Sequence, residues 1–477
     1  MYPGSVPPIG GLAALDGKRV AMFGAGMEGQ GFARRVGASC AELVLIDDLA
    51  GDRSSAAIAR RKAAEELAER PVCPPSVLDD GGFDFVVHSP GVSRHDDRLL
   101  AAARRGAVVT TPTALFMEDF SDRQVVAVTG SKGKTTTAML TAAALGAYGL
   151  DVALAGNIGR PVTELYDDDA HDVFVVELSS FQTAEVTTPP TVGVLTLLAP
   201  DHLDWHRSLE GYYADKLRVF FLREKLPVAV NGTCPAAVAR TAELAGRVLY
   251  GKGGPVLVEG GTLVAPDLGP LDLGGFRLLG EHNLLNAAGA LSAAMLLTGE
   301  LPDRARLEAA LCEVRAPRSR LEPVGVVGAV SYVDDALASN PEGTLAALRV
   351  FSGTQVALIV GGHDRGLDYR PLARAIDETS PQPVVFLIGE AGAAVAAALE
   401  AISSTAPSQL APSLETAVEA ASRWPGIATV LFSPAAPTPQ DEGSYLDRGR
   451  RFRHAAGLAA PTGAKTEPAW VPERAAP

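Results

Sequence analysis

A glycine-rich segment between a strand and a helix constrains the fold of this chain most strongly. The apolar run Val125–Val128 predicts a buried strand that leads directly into Thr129–Thr137 (TGSKGKTTT), and an Ala- and Leu-rich stretch of helical character follows. A strand, a glycine loop and a helix in this order are typical of an α/β fold with a parallel sheet. The backbone N–H groups of such a loop, with the helix N-terminus behind them, form a cradle for an anion.

The side chains of this loop indicate that the anion is a nucleotide phosphate. Lys134 would offset charge on the outer phosphates, and the hydroxyl of Thr135 would bind a magnesium ion. The longer phosphate-loop pattern has a glycine at the position of Val128, so this loop is the shorter T-G-x-x-G-K-T form. A polar turn is the alternative, and the flanking strand and helix argue against it. The predicted nucleotide-binding residues of the loop are Gly130, Ser131, Lys132, Gly133, Lys134, Thr135 and Thr136.

Strand-like and helix-like stretches alternate along most of the 477 residues, in three segments. The alternation predicts α/β domains whose ligands bind at the carboxyl ends of parallel strands. We expect domains at residues 1–112, 113–316 and 317–460, and disorder in the Pro- and Ala-rich tail 461–477. The predicted strands are Lys18–Phe23, Leu43–Ile46, Phe83–Val87, Val125–Val128, Val173–Val176, Val192–Leu197, Val228–Val230, Val330–Val333, Val356–Val360, Val384–Ile388 and Thr429–Phe432.

The composition excludes several classes of protein. The 42 basic and 56 acidic side chains give a net charge of −14, which argues against a general electrostatic interaction with nucleic acid. No stretch reaches the roughly 20 apolar residues that span a bilayer, and Met1–Ser5 do not begin a signal-peptide pattern. The four cysteines form no C-x-x-C pair. We expect a cytoplasmic protein with no zinc site and no disulfide framework.

Charged residues follow two predicted strands of the middle segment. Glu177 ends one of them, where a carboxylate can hold the magnesium that bridges phosphates or can cap a helix. Asp201–His206 (DHLDWH) follows the next strand, and its two acids and two histidines favour a metal or substrate role over that of a single partly buried histidine. Spacing alone does not distinguish Lys216 from a solvated helix lysine.

A second glycine-rich turn, Gly24–Gly29, has G-x-G-x-x-G spacing, and Asp47 follows about 20 residues later. The pattern fits any nucleotide diphosphate whose pyrophosphate lies at a helix N-terminus. Asp47 would contact a ribose or a base, or would cap a turn. A dehydrogenase that binds NAD(H) is an alternative that depends on this turn alone.

In combination, these motifs resemble those of the Mur ligase family, and within it the MurD type. The resemblance extends from about Gly17 to Leu458 and implies a Rossmann-like UDP-binding domain, a central P-loop ATPase domain and a C-terminal Rossmann-like domain. Its further markers, in the family's order, are Gly156–Gly159 (GNIG), Glu177–Gln182 (ELSSFQ), Asp201–Asp204 (DHLD), Lys216–Arg218 (KLR), Gly280–Asn283 (GEHN) with Asn286, Arg320, Asp335, Gly361–Gly362 and Ser433–Ala435 (SPA).

The resemblance implies a ligase that joins an acid to an amino acid during cytoplasmic peptidoglycan precursor synthesis. Its substrates would be ATP, UDP-N-acetylmuramoyl-L-alanine and glutamate, and we expect a monomer. The alanyl carboxylate would attack the γ-phosphate of ATP, and the amino group of glutamate would then attack the resulting acyl phosphate. Two magnesium ions and Lys134 would offset the repulsion between the carboxylate and the triphosphate.

The resemblance also assigns roles to individual residues. Lys216 matches a lysine that is carbamylated in the family, and a carbamate can bind a cation whereas an ammonium cannot. The matches are Lys134, Glu177, His202 and Lys216 for catalysis; Thr135, Glu177, His202 and the Lys216 carbamate for metal; Asn283, Asn286, Arg320 and Asp335 for ATP, the last two when the domains close; Met27, Glu28, Asp47, Ser89 and Asn157 for the UDP substrate; and Ser339, Arg365, Thr438 and Tyr445 for glutamate.

The glutamate-binding segments depart from those of MurD enzymes that use D-glutamate. Such enzymes typically carry Asp-Ser-Lys-Ala-Thr-Asn where this chain has Asp335–Asn340 (DALASN), so Leu337 replaces a lysine that would face the amino acid. Arg365 also stands at a lysine position, and Thr438 and Tyr445 stand at serine and phenylalanine positions. A leucine cannot supply the charge that is lost beside a dicarboxylate. We therefore expect L-glutamate, with D-glutamate as the alternative.

Two other functions remain as alternatives. A folylpolyglutamate synthase also joins glutamate with a short phosphate loop, but it lacks the UDP-type turn of the first segment. A nucleotide-binding sensor without catalysis would have no use for the combination of Glu177, His202 and Lys216.

Overall fold

A computed structural model describes residues 8–52, 54–167 and 170–458. The tail predicted to be disordered, 461–477, lies outside these described residues. The described chain forms two compact units. The first unit is the described part of Met1–Gly275 with His282–Glu313, and the second is Phe276–Glu281 with the described part of Val314–Pro477. The first unit contains two β-sheets and the second unit one.

Strands and helices alternate through both units. The strands are β1 Arg19–Phe23, β2 Glu42–Ile46, β3 Val72–Cys73, β4 Phe85–His88, β5 Val108–Thr110, β6 Gln124–Thr129, β7 Val152–Gly156, β8 Val173–Glu177, β9 Val192–Leu195, β10 Val228–Asn231, β11 Arg247–Gly251, β12 Val256–Glu259, β13 Thr262–Ala265, β14 Gly269–Pro270, β15 Glu322–Val327, β16 Val330–Asp334, β17 Val356–Gly361, β18 Val384–Ile388, β19 Ser408–Ala411 and β20 Thr429–Phe432. The helices are α1 Met27–Val36, α2 Ser55–Ala68, α3 Asp97–Arg104, α4 Pro112–Asp119, α5 Lys134–Gly146, α6 Ser180–Thr183, α7 Leu203–His206, α8 Leu209–Leu217, α9 Pro235–Arg240, α10 Glu281–Thr298, α11 Arg304–Glu313, α12 Pro341–Val350, α13 Arg370–Glu378, α14 Gly389–Ala401, α15 Leu414–Arg423 and α16 Tyr445–Ala455.

The first sheet is parallel throughout and has the strand order β3-β2-β1-β4-β5. The chain leaves β1 on one side, through β2 and β3, and returns on its other side as β4. This reversal creates a crevice at the carboxyl ends of β1 and β4, where open α/β sheets bind ligands. The glycine-rich turn Gly24–Gly26 lies at that end and leads into α1.

The second sheet has nine strands in the order β14-β13-β12-β11-β10-β9-β6-β8-β7. The seven strands β12, β11, β10, β9, β6, β8 and β7 are parallel to one another, and β13 and β14 add an antiparallel edge beside β12. Strand β6 lies between β8 and β9, so the carboxyl ends of all three meet at one edge. This edge carries the phosphate loop and the polar residues that follow β8 and β9.

The third sheet, in the second unit, has the order β15-β16-β20-β17-β18-β19 and is parallel except for the β15–β16 hairpin. Leu358 and Val360 of β17 pack into one buried cluster, whereas Ala357 and Ile359 pack into another. Both faces of this sheet are therefore covered by apolar side chains, which is typical of parallel sheets.

The predicted α/β class with parallel sheets is confirmed. The strands predicted at Val384–Ile388 and Thr429–Phe432 have the predicted bounds. The strand predicted at Val192–Leu197 ends at Leu195, and Thr196 donates a hydrogen bond to the carbonyl oxygen of Lys132 in the phosphate loop. Strand β19 has no apolar run, because most of its residues are exposed at the sheet edge. The predicted domain boundaries stay predictions.

Candidate functional site

The glycines of the phosphate loop hold conformations and close contacts that other residues would disturb. Gly130 has φ 148° and Gly133 has φ 87°. A Cβ atom on Gly130 would lie 1.9 Å from Oγ1 of Thr196, and one on Gly133 would lie 2.7 Å from Oδ1 of Asn286. The backbone therefore approaches its neighbours at both ends of the loop in a way that requires glycine.

Hydrogen bonds from the segment after β9 fix the phosphate loop. The Ser131 backbone N–H donates to the carbonyl oxygen of Leu197 at 2.6 Å, and the Ser131 hydroxyl donates to that of Ala199 at 2.7 Å. The same hydroxyl lies 2.7 Å from the hydroxyl of Tyr212 on α8. Predicted as a nucleotide ligand, Ser131 thus directs its side chain into the protein and leaves phosphate contacts to the loop backbone.

Helix α5 begins at Lys134, directly behind the loop. The first N–H groups of a helix have no acceptor within it, and together with the helix dipole they favour an anion. Nζ of Lys134 lies 3.4 Å from the Ser131 carbonyl oxygen, and Thr135 is partly exposed while Thr136 is buried. Lys132 is exposed and forms a 3.7 Å ion pair with Asp201. The predicted phosphate-binding residues are therefore together at one edge of the second sheet.

Glu177 is a buried carboxylate beside this loop. It is the last residue of β8, pairs in register with Val128 of β6, and is 1% exposed. Oε1 accepts a 2.9 Å hydrogen bond from Nδ2 of Asn157, whereas the buried Oε2 has no hydrogen-bond partner in the described part of the chain. A buried carboxylate oxygen without a donor carries a large desolvation cost, which a cation would offset.

Lys216 is a buried lysine at the same edge. It is 1% exposed, its Nζ donates a 2.9 Å hydrogen bond to the Gly130 carbonyl oxygen, and it lies 5.0 Å from the centre of the Tyr212 ring. Burial lowers the pKa of the Lys216 amine well below its usual value, and the nearby positive charge of Lys134 lowers it further. The structure thus excludes the solvated helix lysine that spacing alone left open.

His202 lies near both lysines. It begins α7 with φ 48°, its side chain is half exposed, and its ring centroid is 4.8 Å from that of Phe181. Partial burial lowers the pKa of His202, and Lys216 and Lys134 lower it further, against the opposing charge of Asp201. Lys216 also lies near enough to Glu177 for their charges to interact, so the structure brings the four predicted catalytic residues together.

Asn283 and Asn286 of α10 form a pair at the start of α5. Nδ2 of Asn286 donates to Oδ1 of Asn283 at 2.9 Å, and Oδ1 of Asn286 accepts from the Thr137 hydroxyl at 3.1 Å. Both asparagines are buried. The predicted adenine-side residues are therefore connected to the helix that begins at the phosphate loop.

The predicted UDP-substrate residues cluster around the crevice of the first sheet. Met27 is exposed at the start of α1, and a Cβ atom on Gly24 would lie 2.0 Å from Oγ of Ser89. The Asp47 carboxylate accepts from the N–H groups of Ala25 at 2.7 Å and Leu49 at 2.9 Å. Of the two roles left open for Asp47, the structure shows the turn-capping contacts. Asn157 lies away from this crevice, at Glu177.

Glu28 makes a contact that the sequence did not indicate. Its Oε1 accepts a 2.9 Å hydrogen bond from the Thr113 hydroxyl, which in turn accepts from Nε2 of Gln182 at 3.1 Å. Burial raises the pKa of Glu28 to about 7, and these hydrogen bonds oppose the rise. The side chain therefore connects α1 to α4 and α6 within the first unit.

In the second unit, Arg320 and Asp335 lie near each other at the carboxyl end of β16. The Asp335 carboxylate accepts from the Ser433 hydroxyl at 2.7 Å and from the Leu321 N–H at 3.0 Å. Burial raises the pKa of Asp335 to about 7, with the hydrogen bonds and the charge of Arg320 opposing the rise. Burial also raises the pKa of Asp334 to about 6.

The predicted glutamate-binding residues follow strands at one edge of the third sheet, three of them in loops and Tyr445 at the start of α16. Ser339 follows β16, Arg365 follows β17, and Thr438 and Tyr445 follow β20. These strands are neighbours and parallel, so their carboxyl ends meet. Ser339, Arg365 and Tyr445 are exposed, and Thr438 and Leu337 are partly exposed.

The sequence grouped His206 with His202, and the structure separates their surroundings. His206 is buried, with Nδ1 2.7 Å from Oδ2 of Asp215 and Nε2 2.9 Å from Oγ of Ser180. Arg94, from the loop after β4, reaches Oδ1 of the same aspartate at 3.0 Å. Nothing in the spacing of Arg94, Ser180 and Asp215 indicated this arrangement, because their contacts arise only in the folded chain.

Two features are absent from the described residues. No described helix is long and apolar enough to cross a bilayer. No group of three or more His, Cys, Asp or Glu side chains within residues 8–52, 54–167 and 170–458 is arranged to hold a metal ion.

Solved structures with this fold are ligases of low sequence identity. The chain aligns with UDP-N-acetylmuramate-alanine ligase MurC from Thermotoga maritima at a TM-score of 0.56 and 19% identity, covering 92% of this chain and 98% of that one. MurF ligase from the same organism, in complex with ADP, aligns at a TM-score of 0.55 and 19% identity, covering 78% of this chain and 94% of that one. Folylpolyglutamate synthase from Mycobacterium tuberculosis aligns at a TM-score of 0.52 and 18% identity, covering 72% of this chain and 93% of that one. At these identities the likeness concerns the fold.

Sequence comparison is more specific. Residues 128–294 match the Mur ligase middle domain. Proteins named UDP-N-acetylmuramoyl-L-alanine--L-glutamate ligase are 32% identical in Xanthomonas axonopodis pv. citri, covering 94% of this chain and 97% of that protein, and 34% identical in Micromonospora sp., covering 93% and 96%. The same name belongs to a Salinispora tropica protein of 34% identity, covering 93% and 98%. This identity over almost the full length of both chains shows that the protein belongs to the Mur ligase family, of the MurD type that its sequence resembles.

Proposed function

We propose that the protein joins L-glutamate to UDP-N-acetylmuramoyl-L-alanine and cleaves ATP to ADP and phosphate. The observation that carries this proposal is that a buried carboxylate, Glu177, and a buried amine, Lys216, both lie at the phosphate loop. Its full-length relatives named for this reaction support the choice of substrates.

In the first step, an oxygen of the alanyl carboxylate attacks the γ-phosphorus of ATP. The bond from that phosphorus to the bridging oxygen of ADP breaks, and an acyl phosphate and ADP form. Lys134 at the start of α5 would offset the charge of the outer phosphates, while the first N–H groups of α5 would donate to the inner ones. The rigid anchoring of the loop through Ser131 keeps these donors in place before the substrates bind.

In the second step, the uncharged amino group of glutamate attacks the carbonyl carbon of the acyl phosphate. The tetrahedral intermediate expels inorganic phosphate, the nitrogen loses a proton, and an amide remains. Acyl phosphates hydrolyse, so the second step requires that water be kept from the carbonyl carbon.

The residues present fit magnesium ions at this edge. The unpartnered Oε2 of Glu177 is a hard anionic ligand in a buried position, and Thr135 supplies a hydroxyl at the start of α5. We propose Thr135, Glu177, His202 and the carbamate of Lys216 as the metal-binding set. When bound, the ions would neutralise the phosphates and polarise the γ-phosphate.

Lys216 would bind a cation only after modification. Burial lowers the pKa of the Lys216 amine, which favours its uncharged form, and an uncharged amine adds to the carbon of dissolved CO₂. A nitrogen–carbon bond forms and one proton leaves, so that the product is an anionic carbamate. Lys216 thereby becomes an anionic ligand, which attracts a metal ion that its ammonium form would repel.

The remaining assignments follow the family resemblance. We propose Asn283, Asn286, Arg320 and Asp335 as ATP-binding residues, Met27, Glu28, Asp47, Ser89 and Asn157 as UDP-substrate residues, and Ser339, Arg365, Thr438 and Tyr445 as glutamate-binding residues. We further propose a cytoplasmic monomer with domains at 1–112, 113–316 and 317–460. The contacts of Asn157 with Glu177 suit a residue beside the reacting carboxylate.

The choice of L-glutamate depends on the second unit. Leu337 removes a cation from the loop after β16, and Arg365 provides a planar guanidinium on the exposed loop after β17. A dicarboxylate held by a differently placed cation presents its amino group from another direction, which supports a change of enantiomer.

The test is to incubate the enzyme with ATP, UDP-N-acetylmuramoyl-L-alanine and each glutamate enantiomer, and to measure ADP. ADP formation with L-glutamate alone is expected. ADP formation with D-glutamate alone would overturn the choice of L-glutamate. If neither enantiomer leads to ADP formation, the proposed ligase reaction is wrong. Replacing the UDP substrate with a folate monoglutamate serves as the control, and turnover of that compound would indicate a folylpolyglutamate synthase.

A further inference from the structure

A chain of polar contacts ends at Asp215 and Arg94, includes the residue before Lys216, and has no role in the reaction described so far. The Ser180 hydroxyl lies 2.9 Å from Nε2 of His206, and Nδ1 of His206 lies 2.7 Å from Oδ2 of Asp215. Oδ1 of Asp215 lies 3.0 Å from Nη2 of Arg94. Since a carboxylate only accepts, Nδ1 donates to Asp215, and in the neutral ring Nε2 then accepts from Ser180.

The chain connects three separate segments of the first unit. Ser180 begins α6, three residues after Glu177, and Asp215 lies in the last turn of α8, next to Lys216. Arg94 belongs to the loop after β4, which also contains Ser89. The metal-ligand candidates Glu177 and Lys216 are therefore joined to each other, and to the loop of the first sheet, through this chain and the short segments that carry it.

The arrangement of Ser180, His206 and Asp215 is that of a serine nucleophile with its base and orienting acid. Ser180 is 2% exposed, however, so its hydroxyl is closed to a substrate. Phe181 further covers the chain by stacking on the His206 ring, at 5.5 Å between centroids and 9° between planes. The geometry thus favours positioning over nucleophilic attack.

Both oxygens of Asp215 are committed. Oδ2 faces His206 and Oδ1 faces Arg94, so the two contacts come from different elements and restrain the last turn of α8 against rotation. Arg94 is held in turn by the Ala184 carbonyl oxygen at 3.4 Å and by Glu185 at 3.8 Å. Buried polar chains of this kind fix one geometry, even where they add little stability.

The direction of Lys216 follows from the same turn. Its Nζ reaches the Gly130 carbonyl oxygen at 2.9 Å, and a small rotation of α8 would break this contact. We propose that Arg94, Asp215 and His206 are positioning residues that hold Lys216 at the phosphate loop, where its carbamate forms. This inference rests on the carbamylation in the proposed function.

The test measures the carbamate directly. Wild-type protein and Asp215→Asn are equilibrated with ¹³C-bicarbonate without ATP or amino acid, and the carbamate carbon is measured by NMR. The asparagine side chain keeps the shape of the aspartate but loses the charge that holds Arg94 and His206 together. We expect about tenfold less carbamate in the variant, in the range for residues that orient a ligand. Added bicarbonate should restore part of its ADP formation.

Glu210→Gln is the matched control. Glu210 lies in the first turn of the same helix, is exposed, and forms an ion pair with Arg240. Its replacement removes a similar charge from α8 without touching the buried chain, so carbamate and turnover should equal those of wild-type protein. Arg94→Lys is the second variant, which keeps the charge but not the planar guanidinium, and it decides the outcome if Asp215→Asn does not fold.

The results separate this inference from the proposed function. A folded Asp215→Asn protein with wild-type carbamate and bicarbonate dependence would overturn the positioning role and leave the ligase intact. Wild-type protein that forms ADP without any carbamate signal would overturn the carbamate itself. Wild-type protein that carries the carbamate but forms no ADP would overturn the ligase while the positioning role stands.

Discussion

The two units provide their candidate binding residues in different ways. In the first unit, Glu177 and Lys216 are buried, and hydrogen bonds already place them at the phosphate loop. In the second unit, Ser339 and Arg365 are exposed on the loops after β16 and β17, and Tyr445 is exposed at the start of α16. One set is built into a sheet edge, and the other is carried on the surface.

The two arrangements differ in how much they lower the stability of the fold. A buried ionisable group lowers stability unless a partner or ligand compensates it, so the first unit gives up stability for a prepared site. Exposed loop residues cost little and tolerate replacement, so a change of amino-acid specificity requires few substitutions there. The reaction with ATP should therefore be sensitive to single substitutions in the first unit. The amino-acid specificity should change with few substitutions in the second unit.

Lys134→Ala should have the largest effect. Removal of a preorganised charge beside the transferring phosphate is expected to reduce ADP formation about a thousandfold. Binding of the UDP substrate, measured by calorimetry, should be largely retained because all of its candidate residues except Asn157 lie at the first sheet. Lys225→Ala removes an exposed lysine of the same unit and should leave turnover unchanged. Turnover above a tenth of the wild-type rate in Lys134→Ala would show that the prepared site does not depend on this charge.

Glu177→Gln comes next. The amide keeps an oxygen for Asn157 but removes the charge of the buried, unpartnered Oε2. We expect a loss of turnover of about a hundredfold, with a higher magnesium requirement, because a neutral oxygen is a weaker ligand for a hard cation. A magnesium titration of ADP formation measures both effects. An unchanged magnesium requirement would assign Glu177 to the structure of the sheet edge and not to the metal.

The sequence predicted the prepared site better than it predicted the arrangement around it. The motif Thr129–Thr137 determined the loop, because a glycine at a positive φ and a lysine at a helix start are local requirements. Lys216 is buried against Tyr212 and Gly130. Gly130 is distant in sequence, and the position of Tyr212 four residues earlier does not show that the lysine is buried. Asp47 was left between two roles, since a carboxylate that caps a turn and one that binds a ribose look alike in sequence.

The same contrast holds for the fold. Buried central strands such as β18 and β20 were predicted with their bounds, because both of their faces are covered and the apolar run is continuous. The sequence did not predict strands β3, β5, β7, β11–β15 and β19. Most of these are short, antiparallel or partly exposed and carry a weak hydrophobic pattern. Strand β7 is buried along its whole length and was missed all the same.

Leu337→Lys tests whether the second unit sets the enantiomer. Restoring a cation on the loop after β16 should increase kcat/KM for D-glutamate relative to L-glutamate by about tenfold, without a change in KM for ATP. Steady-state kinetics with each enantiomer measure the ratio. Leu410→Lys adds the same charge to an exposed leucine of β19 and should leave the ratio as it is in wild-type protein. If Leu337→Lys also leaves it unchanged, the loop after β16 does not select the amino acid.

Glu28→Gln should have the smallest effect on turnover. It tests how far the buried Glu28 carboxyl lowers the stability of the first unit. The pKa of Glu28 is raised from 4.5 to about 7, so its contribution to stability is present below pH 4.5 and is lost as the pH rises through 7. Glutamine stays neutral and can still accept from Thr113, so the unfolding free energy of the variant should equal that of wild-type protein at pH 4 and exceed it at pH 8. Because Glu28 keeps some contact with solvent, we expect a gap of about 1–3 kcal/mol in unfolding free energy. Chemical denaturation at both pH values measures it, with Glu42→Gln on the exposed Arg19 ion pair as the control. Parallel pH profiles for Glu28→Gln and wild-type protein would show that this carboxyl is ionised in the fold, and that the contact of α1 with Thr113 carries no such cost.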